Sequence, residues 1–150
     1  MKLTGEVLNS YNRNVKVDAN SSKALFSVPL DEALKGARKE DVFIHAVLLT
    51  DKGNSNYTNN YCLVKQKEVN YPKAQLATSV QPIEGGFEVT LSSDNFARAV
   101  FIATGDVNSS FSDNYFDILP GSSVKVEVYT DLPLATFEKQ LKVVSLSDEY

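Results

Sequence analysis

The sequence has no tryptophan, one cysteine, one histidine and one methionine among its 150 residues. With Cys62 alone, no intrachain disulfide forms. Its neighbours Tyr61, Leu63 and Val64 mark it as a small core thiol; a reactive thiolate would want a base beside it. A zinc site takes three or four His, Cys or acidic ligands, and one His with one Cys is a poor start. A Ser-His-Asp triad would have to use His45, which sits inside an apolar strand pattern and reads as a core or edge residue. No apolar run approaches the ~20 residues of a membrane span. The opening residues, Met1 to Glu6, lack the apolar stretch of a secretory leader. There is no glycine-rich phosphate loop, no internal repeat and no low-complexity tract.

What is present is a globular composition: 43% hydrophobic residues, enough for a buried core. The net charge is −4, so no basic field draws nucleic acid or an anionic membrane. The charge is uneven. Residues 1–70 carry ten Lys/Arg against eight Asp/Glu, and residues 71–150 carry five against eleven. The shift falls beside Tyr71-Pro72 and suggests a boundary between two units, 1–70 and 71–150.

Both halves read as β-structure. Val7, Tyr11, Val15 and Val17 share one parity, which predicts a long strand with one buried face. A polar turn over Asp18 to Ser22 leads to a second strand, Ala24 to Val28. Pro29 to Gly36 predicts a short helical turn, with acids at its start and glycine after it. Val42 to Leu49 is nearly unbroken apolar sequence and predicts a central strand buried on both faces. Asp51 to Asn54 is a turn, and Asn56 to Lys65 returns as a hairpin partner.

In the second half, strands are expected over Ala74–Val80, Phe87–Leu91, Ala97–Ala103, Val124–Val128 and Leu141–Leu146. Glu84-Gly85-Gly86 is a turn and Gly105 to Ser110 a loop. Turns every 8–14 residues without a long helix predict an all-β, antiparallel, immunoglobulin-like sandwich. Residues 71–150 supply six or seven strands and residues 1–70 four or five. A seven-stranded sandwich takes ~100 residues. The first unit therefore reads as truncated, holding later strands only. Unpaired edges there would favour self-association or poor order over residues 1–22.

Candidate chemistry is sparse. Glycosidic cleavage needs two carboxyl groups facing one another across a pocket, whereas most of the 19 acids lie in turns or at outward strand positions. Asp113, Asn114 and Asp117 are the one grouping with calcium-type donors, but they lack a helix-loop-helix calcium spacing. Tyr57, Tyr61 and Tyr115 are candidates for a sugar-stacking platform, although tyrosine is common in strands for its packing alone. Sequons at Asn20, Asn56 and Asn108 occur at about the frequency that chance gives.

The most distinctive stretch is Phe111 to Gly121, FSDNYFDILPG. Ser112-Asp113-Asn114 offers side-chain hydrogen bonds to local backbone and favours a turn. Tyr115, Phe116, Ile118 and Leu119 then carry a large apolar load, predicted to plug one end of a sandwich. Pro120-Gly121 turns the chain into the alternating Val124–Val128 strand. This corner resembles that of the C-terminal immunoglobulin-like domain of β-mannosidases of the glycoside hydrolase 2 family. Phe111, Asp113, Asn114, Tyr115, Phe116, Leu119, Pro120 and Gly121 carry the likeness, and Ile118 stands where the family pattern has leucine. Phe87 to Ala97 (FEVTLSSDNFA) is similar to an upstream strand and turn of the same domain. Residues 3–70 look like later strands of the preceding immunoglobulin-like domain.

The resemblance implies a parent that removes terminal β-D-mannose with retention, using two glutamates of an upstream (β/α)₈ barrel. No catalytic, cofactor-binding or metal-binding residue carries over to this chain, and no cofactor is implied. The expected partner is that barrel, which this chain would support without doing chemistry. The parent would be exported, periplasmic or extracellular, or lysosomal. Two alternatives stand: a carbohydrate-binding module for mannan-type glycans, and a parent that is an exo-β-glucosaminidase, since those enzymes carry a similar Asn-Tyr-Phe corner.

Overall fold

The computed structural model describes residues 1–49, 56–106 and 108–148. Its contacts divide the chain into two compact units: Met1–Lys2 with Glu6–Asn70, and Leu3–Gly5 with Tyr71–Tyr150.

The second unit is a sandwich of two antiparallel sheets. Its strands are β3 (Leu76–Ile83), β4 (Gly86–Ser93), β5 (Ala97–Ala103), β6 (Ser110–Phe111), β7 (Phe116–Ile118), β8 (Ser123–Tyr129) and β9 (Lys142–Val144), with a helix, α2 (Leu134–Gln140), between β8 and β9. One sheet has the order β3-β4-β8-β6 and the other β7-β5-β9. Period-2 alternation explains β4 and β8. Phe87, Val89 and Leu91 turn inward on β4, and Val126 and Val128 on β8, all buried. Opposite them stand Val100 and Ile102 of β5 and Ile118 of β7, in the same buried cluster. Pro82 lies on β3, an edge strand, where a missing N–H costs no ladder bond.

The β3–β4 turn depends on glycine. Gly86 lies so close to β8 that a Cβ there would run into the carbonyl oxygen of Val128. The helix α2 is absent from the sequence expectation. It closes the sandwich with Phe137, fully buried and stacked on Phe87 with ring centroids 4.4 Å apart. One buried residue in seven is too weak a pattern to read as a helix.

The first unit contains α1 (Leu30–Leu34) and one two-stranded ribbon, β1 (Phe43–Leu49) against β2 (Asn56–Cys62). The helical turn and the hairpin stand where the sequence places them; the turn at Asp51–Asn54 lies outside the described residues. Three expectations are corrected. Val7–Val17 and Ala24–Val28 do not form strands, because alternation becomes a strand only beside a partner ladder and none lies there. Instead, the Asn9 side chain donates to the Glu32 and Ala33 carbonyls at 2.8 and 3.1 Å, and Tyr11 to the Glu32 carboxylate. The described part of this unit thus holds two strands rather than four or five. Nor is Val42–Leu49 a doubly buried central strand: Val42 and Phe43 are buried, but Ile44, Val47, Leu48 and Leu49 are exposed, because no layer formed by the described residues covers them.

Candidate functional site

The Phe111–Gly121 stretch forms a corner that runs from one sheet of the second unit to the other. Phe111 pairs with Val128 at the end of β6. Ser112 then clasps Glu127: its N–H donates to the Glu127 carbonyl, and its Oγ accepts the Glu127 N–H, each at 2.9 Å. Asp113 accepts the N–H of Asn114 at 2.7 Å, which fixes the turn. The Asn114 amide crosses to β5, accepting from Ile102 N–H at 2.9 Å and donating to Ile102 C=O at 2.8 Å.

Tyr115 has φ +61°, left-handed and uncommon for a bulky residue. The Asn114 Oδ1, which also accepts the Tyr115 N–H at 3.1 Å, supports that conformation. It turns the ring outward, 68% exposed, onto Phe101 at 4.9 Å. The expectation that Tyr115 is buried is therefore corrected: the backbone reversal and not the ring's apolar character decides its side. Phe116 and Phe111 pack against the core as half-buried rings, and Ile118 is fully buried.

β7 pairs with β5 across a register shift between Ala97 and Val100. Asp117 stabilises that bulge. It accepts the Ala99 N–H at 3.0 Å and pairs with Arg98 Nη1 at 3.1 Å, while Ala99 has φ +49°. Leu119 and Pro120 are half-buried; the Leu119 carbonyl accepts from Ser122 at 3.0 Å. Gly121 has φ +71° and donates its N–H to the Ser93 carbonyl at 2.8 Å, which ties the corner to β4.

The corner is thus a network of side chains holding backbone. Asp113, Asn114 and Asp117 point their oxygens at separate N–H groups and do not converge on a point where calcium could sit. Among the described residues no group of three or more His, Cys, Asp or Glu side chains could hold a metal. Arg98, Ala99, Phe101 and Ile102, which receive the corner, were not singled out from the sequence. They lie 12 to 19 residues upstream of Asn114, Tyr115 and Asp117, and no local signal links them.

Other candidates are dispersed. Of the depressions on the described surface, one in the second unit is lined by Gln75, Leu76, Ser92, Ser93, Asp94 and Gly121. Another, in the first unit, is lined by Lys2, Glu6, Val7, Lys35 and Gly36. Each offers a single carboxylate, where glycosidic cleavage takes two. Asp94 is already spent on the Gln75 N–H at 2.9 Å, and Glu6 on Lys2 at 2.6 Å. His45 is held by Asn60 through Nδ1 at 2.8 Å. Cys62 is half-buried opposite Phe43. Tyr57 and Tyr61 do share an exposed face of β2, beside Leu48 and Ile44 of β1.

Two packed antiparallel sheets with a side-chain-locked corner define the class: an immunoglobulin-like β-sandwich. The comparisons narrow it. The family model Ig_mannosidase, described as an Ig-fold domain, matches residues 71–149, and a Mannosidase Ig/CBM-like domain model matches residues 1–68. The chain belongs to the mannosidase Ig-fold family. No curated protein matches it. Among solved structures it is similar to the β-D-mannosidase from Dictyoglomus thermophilum, at a TM-score of 0.73 and 22% identity. That match covers 97% of this chain and 17% of the mannosidase chain.

Proposed function

We propose that this chain is a non-catalytic C-terminal portion of a β-mannosidase-like glycoside hydrolase, where it buttresses an upstream catalytic barrel. The observation that carries this reading is the pair of mannosidase-type family models, which together span nearly the whole chain in tandem. The boundary between the folding units lies near Tyr71-Pro72, the first unit being the later-strand part of a sandwich. The parent releases terminal β-D-mannose, with an exo-β-glucosaminidase as the alternative. The test is incubation of the chain with chromogenic β-mannoside and β-glucosaminide substrates. No turnover is expected with either, and measurable hydrolysis would end the proposal.

A second reading, a module that binds mannan-type glycans, has one observation in its favour. Tyr57 and Tyr61 are 63% and 60% exposed on one face, in the unit that matches an Ig/CBM-like model. Titration with manno-oligosaccharides, read by amide chemical shifts, separates the two readings. Shifts centred on Tyr57 and Tyr61 favour the module, and none favours the buttress.

A further inference from the structure

We draw no further inference here: the strongest candidate, the outward apolar patch of the β7-β5-β9 sheet in the second unit, where Tyr115 stacks on Phe101 and Val144 pairs beside it, carries nothing, because nothing in the structure shows what covers it.

Discussion

Asn114 takes the place of a strand for Ile102: one side-chain amide accepts its N–H at 2.9 Å and donates to its C=O at 2.8 Å. Ile102 is fully buried, so its peptide groups have no ready recourse to water. The Asn114→Ala change leaves two such groups unpaired, at about 1–3 kcal/mol each. A loss of roughly 2–6 kcal/mol in urea unfolding is expected. Asn114→Asp should do no better near neutral pH, because a carboxylate cannot donate to Ile102 C=O.

Gly86 faces the Val128 carbonyl with no room for a methyl group. The atom in the way is main chain in the β4–β8 ladder, where Phe87 pairs with Val128, so relief requires moving a strand. The Gly86→Ala variant should lose about 3 kcal/mol or more. Gly85→Ala offers a comparison: it meets only a Tyr129 ring carbon at ordinary contact, but has φ +77°. Its cost should be smaller, about 1–2 kcal/mol. Thermal unfolding of the two variants side by side checks the order.

Phe137 is the one buried side chain of α2 and stacks on Phe87. Truncation to alanine leaves a ring-sized cavity, at about 3–5 kcal/mol. Amide exchange should rise first along α2, whose only apolar anchor is lost, and least in the β3–β4 hairpin. Uniform exchange across the second unit would show that the helix is not a separate closing element.

Tyr129 is hydrogen-bonded to Glu127, and that bond is the first cause raising its phenol above the ordinary value, followed by the charge of Glu127 and by desolvation. A raised folded-state pKa favours the protonated, folded form. The contribution is therefore present below the unfolded phenol value of about 10 and lost as pH rises through the folded one. Tyr11 shifts in the same direction through desolvation and Glu32. The Tyr129→Phe variant should show a shallower loss of stability in alkali than wild type, measured by urea midpoints across that range. An unchanged slope would dissociate Tyr129 from the alkaline transition.

Much of the second unit was legible residue by residue. Phe87, Val89 and Leu91, and likewise Val126 and Val128, declare their buried face by spacing alone, since a pleated strand alternates sides whatever it packs against. The corner was legible as a turn, because Asp113 and Gly121 act on backbone within reach of their own segment or through their own φ. The unpaired stretch from Val7 to Val28 carries similar apolar alternation, yet no ladder forms there. Pattern shows which face a strand would bury and is silent on whether a neighbour exists to bury it.

The amino-acid sequence by itself determined the β character of the chain, its turns, and the family pattern from Phe111 to Gly121, because these rest on local sterics, side-chain period and short-range hydrogen bonds. Only the tertiary structure decided that Asn114 serves Ile102, that Asp117 holds the bulge at Ala99, and that Tyr115 turns outward onto Phe101. It likewise decided that an apolar strand, Phe43–Leu49, stands half uncovered. Each of these depends on which segments distant in the chain come to lie side by side. Burial and pairing belong to that neighbourhood and not to a residue's own chemistry.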